Sequence, residues 1–215
     1  MPTLQTLIAF FGVAVLLGLS PGPDNLFVLM QSAQRGWRVG LCVVLGLCLG
    51  LVGHTAAVAM GLAAMVATSP MLFTAIKLCG AAYLLYLAWG AWRAPVSAGG
   101  SVLQQSERDR LTWDSALRWV GRGTVMNLTN PKVLIFFLAF LPQFADPARG
   151  SLALQVVVLG CVFMLAALLV FGSIACGSGL FGELLLRSAR AQRWLNRIAA
   201  TVFGALALKL ALAQR

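Results

Sequence analysis

Apolar residues run along this chain in long blocks, without the alternation of a half-buried strand. The first block is Thr3–Leu19, and after Ser20-Pro21-Gly22-Pro23-Asp24 it resumes at Leu26–Ala33. A helical crossing takes ~20 residues, so the piece from Thr3 to Gln34 is too long for one straight span. It reads as a helix broken near Pro21–Asp24. It lacks the positive n-region and small-residue cleavage site of a signal peptide and is expected to be retained. The later blocks are Val39–Ala67, Leu72–Trp92, about Val120–Leu141, Ser151–Ile174 and Leu195–Leu212. The fourth is interrupted by Asn127-Leu128-Thr129-Asn130-Pro131-Lys132 and closed by Pro142–Pro147. The pattern predicts an all-α integral membrane protein with six transmembrane helices.

The blocks fall into two similar halves. Residues 1–93 form a first three-helix repeat, 94–118 a polar loop, and 119–215 a second three-helix repeat. Each half opens with an interrupted span, so Pro23-Asp24 corresponds to Pro131-Lys132. Three spans per half is an odd number, and the second half is therefore expected upside down relative to the first. Inverted repeats with matching helix breaks point to a secondary transporter whose site lies at the breaks. Proline explains the breaks, because it lacks an N–H and its ring clashes with the carbonyl one turn back. Gly22, between Pro21 and Pro23, loosens the backbone further.

Composition supports a bilayer location. Apolar residues make up 60% of the chain and charged residues 10%, against ~25% charged in soluble domains, and the mean hydropathy is +0.89. A soluble enzyme, a disordered chain and a disulfide scaffold are all excluded. The net charge of +10 does not indicate nucleic acid, since no long polar basic stretch with interleaved aromatics exists to track a phosphate backbone. It works instead as a topology signal. Eleven of the sixteen basic residues flank the loops after spans one, three and five, which places those loops in the cytoplasm and both termini outside. In a Gram-negative cell that means an inner-membrane protein with periplasmic termini. Trp37, Trp92, Trp113, Trp119 and Trp194 gather at the cytoplasmic span ends as an aromatic belt. The five cysteines, with no CxxC pair, read as small buried hydrophobes.

Few residues are left to carry chemistry. Asp24 is the one acid well inside an apolar block and Lys132 the one fully embedded base. A charge at that depth costs ~2.5–3.5 kcal/mol on insertion scales and marks a functional candidate. The two would either pair statically or exchange partners with substrate or proton. Asn25 stands beside the first break, and Asn127 and Asn130 flank the second, to bind substrate or to cap half-helices. His54 follows Gly46 and Gly50 on a small-residue face, and suits either proton relay or hydrogen-bonded packing. With a single histidine, no metal site and no cofactor are expected, and the energy source would be the proton-motive force. The small-residue face would serve a homodimer as readily as internal packing.

The run Ser20-Pro21-Gly22-Pro23-Asp24-Asn25-Leu26, followed by Arg35-Gly36-Trp37-Arg38-Val39-Gly40, resembles the first-helix signature of the LysE/RhtB amino-acid exporter family. Asn127-Leu128-Thr129-Asn130-Pro131-Lys132 with Phe136–Phe144 resembles its second signature, and Arg193-Trp194-Leu195-Asn196-Arg197 the start of its last helix. The resemblance covers essentially the whole chain. It implies a bacterial inner-membrane exporter of amino acids or their derivatives, driven by proton antiport, with Pro21, Gly22, Pro23, Asp24, Asn130, Pro131 and Lys132 as motif positions. The fifth block departs from some members in being apolar throughout Leu165–Val170. With one embedded acid to meet a side-chain ammonium, neutral or small polar substrates of the threonine, homoserine or leucine type are expected. The alternatives are an intramembrane enzyme acting on lipid, with Asp24 and His54 as acid and base, and a membrane scaffold subunit without transport.

Overall fold

The computed structural model of the chain describes residues 1–20, 22–68, 112–177 and 189–212, and within 69–111 residues 78, 81, 82, 85, 86, 88–90, 92 and 93. Among the described residues there is no β-strand. Helix α1 is Leu4–Leu19, started by Thr3, whose hydroxyl accepts from the Thr6 N–H. It stops at Ser20, which turns extended. Helix α2, Pro23–Arg35, begins with proline at its first position, where a missing N–H costs nothing. The two lie 62° apart. Pro21, between them, is outside the described residues.

Helix α2 ends at Gly36, whose φ of +95° suits glycine and whose amide reaches the Ser32 carbonyl. Helix α3 is Trp37–Thr68. Helix α4 is Trp113–Leu128 and starts earlier than the apolar block predicts. The reason is local: Thr112 and Ser115 form a capping box, and Asp114 sits in the first turn, where its charge favours the helix N-terminus. The helix then passes through polar residues assigned from sequence to the loop. Residues 94–111 of that loop lie outside the described residues. Helix α5, Pro131–Ile135, departs from α4 at 54° and runs on through a π-turn at Phe136–Phe140 and a 3-10 turn at Leu141–Phe144. Helix α6 is Leu152–Cys176 and α7 is Ala189–Leu212.

Two stretches, Trp37–Gly61 and Leu152–Cys176, are each long and apolar enough to cross a membrane, with mean hydropathies of 2.2 and 2.8. Each bent pair, α1–α2 and α4–α5, also qualifies if taken as one broken span, which makes up to four. The third expected span, Leu72–Trp92, falls mostly outside the described residues, although those described between 78 and 93 are helical. The sixth block is helical as α7. The surface supports a bilayer too: Leu45, Leu49, Met60, Leu165 and Leu169 are all more than half exposed, beyond what scattered surface apolars on a soluble protein would require. The regular structure of the described residues is all helical, and the chain is a multi-pass membrane protein.

Helix α3 is the centre of the packing, with α4 on one side and α6 on the other, while α1 lies along α6. Glycine sets these distances. A Cβ on Gly46 would stand 2.1 Å from the Val120 carbonyl oxygen, and one on Gly123 would stand 2.4 Å from that of Val43. The small-residue face of α3 is therefore filled from within the chain, by α4. On the other side a Cβ on Gly160 would meet Thr55 Oγ1 at 2.4 Å. At the N-terminal end the Met1 ammonium reaches the Arg149 carbonyl. There buried Gln155 ties the following loop, accepting from the Asp146 N–H at 3.0 Å and donating to the Asp146 carbonyl at 2.9 Å. Beneath it Phe10, Phe136, Phe137, Phe140, Phe144 and Phe163 pack with neighbouring ring centroids 5.0–6.3 Å apart.

The glycine contact gives a direct test. Gly46→Ala places a methyl against backbone, which cannot swing aside as a flexible side chain can, so α3 and α4 must separate at a cost of about 1–3 kcal/mol. Gly12→Ala, where an added Cβ meets nothing within 4 Å, should leave stability unchanged or slightly raised. Thermal unfolding of both variants in detergent decides the matter, and equal melting would show that the α3–α4 approach is not close.

Candidate functional site

The two helix breaks meet in the interior. Asp24 is the second residue of α2 and Lys132 the second of α5. Both are buried, as are Ser20, His54, Asn127 and Asn130. A half-helix ending inside an apolar span leaves carbonyls and N–H groups that lipid cannot satisfy, and their partners can be followed one by one.

At the end of α1, Lys132 Nζ donates to the Ser20 carbonyl at 2.8 Å, and the Asn25 side-chain amide turns back to donate to the Gly18 carbonyl. A cation there also faces the negative end of the α1 dipole. At the end of α4, His54 Nε2 lies 3.2 Å from the Asn127 carbonyl oxygen. That oxygen can only accept, so the proton of this contact is on Nε2. The His54 ring also stacks obliquely near Phe137, with centroids 5.6 Å apart. At the start of α5, Asn130 Oδ1 accepts from the Lys132 N–H at 3.0 Å as an N-cap.

Asp24 reaches in the opposite direction, accepting from Asn127 Nδ2 at 3.2 Å. Each charged residue of one break is therefore bonded to the last turn, or the cap, of the other broken helix. Asp24 and Lys132 are not joined to each other by a salt bridge. The lysine's bond is to Ser20 and the aspartate's to Asn127; the Asn130 side-chain amide is also turned toward the carboxylate as a donor, and Lys132 and His54 lie within electrostatic reach of it. Gly22 lies against the lysine in an extended backbone conformation (φ −169°) that any residue adopts: a Cβ there would lie 3.2 Å from Lys132 Nζ and 3.8 Å from Asn25 Oδ1, so a side chain would have to displace the end of the lysine slightly.

Four buried polar atoms at this meeting point have no hydrogen-bond partner: Asp24 Oδ1, Asn25 Oδ1, Asn127 Oδ1 and Asn130 Nδ2. The bonds above fix which way each amide points, so three of these atoms are acceptors and one is a donor. Each such atom costs about 1–3 kcal/mol when left unmet. The Asn130 amide is the donor nearest in kind to the Asp24 carboxylate, toward which it is turned, whereas Asn25 Oδ1 and Asn127 Oδ1 are acceptors with no donor.

The sequence-derived candidates Asp24, Lys132, Asn25, Asn127, Asn130 and His54 are thus brought to one region, with Gly22 against Lys132 and with Pro23 and Pro131 exposed as the first residues of α2 and α5. His54 touches the site through the Asn127 backbone and not through Asp24. The role of the Ser20 carbonyl was not legible from side-chain chemistry, because the acceptor is backbone. The apolar stretch Leu165–Val170 of α6 is divided between packing and surface: Ala166, Ala167 and Val170 are buried and Leu165, Leu168 and Leu169 exposed, with Val170 against Gly18 of α1.

A family model described as LysE type translocator matches residues 15–214. An uncharacterized membrane protein of Vibrio cholerae is 33% identical over 96% of this chain and 97% of its own length. The homoserine/homoserine lactone efflux protein of Salmonella typhimurium is 32% identical over 78% of each chain. The leucine efflux protein of Salmonella choleraesuis is 31% identical over 62% of this chain and 60% of its own. No solved structure matches the chain.

If the Asp24–Asn127 bond ties the two broken helices, its ends are energetically coupled. Asp24→Ala and Asn127→Ala should each destabilise the protein, and the double variant should be more stable than their sum implies by about 1–2 kcal/mol. Thermal unfolding of the four proteins in detergent measures this, and strict additivity would mean that the contact does not link the halves.

Proposed function

The chain belongs to the LysE type translocator family, and on that footing we propose that it exports neutral or small polar amino acids, or their derivatives, from the cytoplasm by proton antiport. Members of this family are transporters and not enzymes, so the reading as an intramembrane lipid enzyme falls away. The observation that carries the proposal is the unmet set at the breaks. Asp24 Oδ1, Asn25 Oδ1 and Asn127 Oδ1 would receive an α-ammonium, while Asn130 Nδ2 and the Lys132 ammonium would receive a carboxylate. Asp24 is the one acid in the apolar blocks, which leaves no second carboxylate for the side chain of lysine or arginine. The relatives named for homoserine and leucine efflux agree with that preference.

The proposed architecture is six spans in two inverted repeats, in the inner membrane, with both termini in the periplasm. The crosswise bonds between the two breaks, and bends of 62° and 54° at matching positions, support the repeat. Asp24 is the proposed proton carrier, since it is the one acid in the apolar blocks and is buried beside the break. The phenylalanine cluster lies between the breaks and the Met1 end and would close the path on that side. Alternating access would then be a rocking of one half against the other about the breaks.

The test is a screen of extracellular amino acids in a strain that lacks its own exporters and expresses this chain. One or more neutral amino acids should accumulate outside, and a protonophore should stop it. Asp24→Asn should lower export about 10–100-fold, the worth of a charged hydrogen-bonding partner, with membrane insertion intact. Normal export by Asp24→Asn would remove Asp24 from the pathway. Saturable export of lysine alone would overturn the substrate class.

A further inference from the structure

A second site lies away from the breaks. Phe27 of α2 and Arg118, Gly121, Arg122, Val125 and Met126 of α4 line a groove of about 700 Å³. The α4 residues recur at helical spacing, so they form one stripe along the helix. Its polarity is graded. Arg118 and Arg122 stand one turn apart at one end, and Val125, Met126 and Phe27 continue it as an apolar floor. Gly121 faces open space beside the arginines, where a Cβ would meet nothing within 4 Å.

Both guanidinium groups are held in place. Arg118 Nε donates to the Asp114 carbonyl at 3.2 Å. Arg122 lies over the Trp119 ring, 4.6 Å from its centroid, and the opposing α2 places Arg35 over the same ring at 5.1 Å. Trp119 itself is buried. Arg38 over Trp37 stands at this same end of the molecule, so the arginines fall in a belt of tryptophans and cations of the kind found at a membrane–water interface.

We propose that this groove binds an anionic phospholipid, its phosphate between Arg118 and Arg122 and an acyl chain along Phe27, Val125 and Met126. Two ordered guanidinium groups match a phosphate as donors, and the apolar floor running away from them matches a tail. An amino acid carries its charges together and has no long apolar body, so it fits the gradient poorly. The lipid would wedge between α2 and the α4 face that ends at Asn127, next to the site at the breaks.

Native mass spectrometry of the detergent-purified full chain tests this with three probes: phosphatidylglycerol, phosphatidylethanolamine and glycerol phosphate. Phosphatidylglycerol should be retained over phosphatidylethanolamine, and glycerol phosphate should not bind. The double variant Arg118→Gln/Arg122→Gln should lower phosphatidylglycerol retention roughly 30-fold, as expected for two arginines near an anionic surface. Gly121→Leu fills the groove without changing charge and should lower retention as well, with melting temperature unchanged in both variants. Retention that ignores headgroup charge and both variants overturns the proposal. Equal binding of glycerol phosphate makes the arginines a phosphate site without a tail and also overturns it. Unchanged lipid retention with an altered KM for amino-acid export in zwitterionic vesicles would make the groove a substrate vestibule instead.

Discussion

No backbone N–H or carbonyl inside a bilayer can be left to the lipid, and two helices here stop and restart within apolar sequence. That constraint accounts for the position of the polar side chains gathered at the breaks. Lys132 and Asn25 serve the end of α1, His54 serves the end of α4, and Asn130 caps α5. The breaks are tolerated because these groups arrive, and the groups are tolerated at depth because the breaks supply partners. Asp24 and Lys132 each find theirs on the opposite broken helix. The two pieces are therefore fastened by polar bonds where apolar packing alone would let them slide.

Delivering those groups falls to α3. Gly46 and Gly123 let α3 and α4 approach backbone to backbone, Gly50 makes room for the Asn127 side chain, and one turn further His54 meets the Asn127 carbonyl. On the other side Gly160 accepts Thr55, whose hydroxyl is satisfied by the Leu51 carbonyl of its own helix at 2.7 Å. Small residues thus act at two levels, setting the spacing of helices and, through it, the register of the polar contacts. In lipid this is the expected means of association, because tails are as apolar as leucine and give helices no hydrophobic reason to meet.

How far the sequence disclosed this follows from what it encodes directly. Charge is so scarce in the apolar blocks that Asp24, His54 and Lys132 stood out without a structure, and the proline motifs marked where they would gather. Asn127 and Asn130 were legible as flanks of a break. Partner choice was not legible: nothing in the residue types says that Lys132 takes a backbone carbonyl of Ser20 in place of Asp24, or that Asn25 folds back on Gly18. Hydropathy also misplaced the start of α4, since the signal at Trp113 is a capping box followed by polar turns. The π-turn at Phe136–Phe140 carries no composition signal, because an extra residue per turn looks like any other apolar run. The groove beside Gly121 depends on α2 bringing Phe27 opposite α4, a tertiary fact that neither segment contains alone.

The separation of Asp24 from Lys132 bears on what the site can do. A direct pair would satisfy both charges at once and leave little for a ligand to replace. Here each charge is held by neutral groups of the other broken helix, the lysine by the Ser20 carbonyl and the aspartate by side-chain amides. On the proposed transport reading, a zwitterion entering between them offers each half what it lacks, an ammonium to the oxygens and a carboxylate to the amide and the lysine. The crosswise bonds can then loosen without stranding a charge in the membrane. A proton on Asp24 would do the same for the empty carrier by removing the charge itself. On the proposed reading either event would relax the fastening at the breaks, and movement of one half against the other would next have to displace the phenylalanine cluster. On the same reading the π-turn, which carries Phe136, Phe137 and Phe140, would take part in that step, since a π-turn that reverts to α-helical pitch rotates every side chain beyond it.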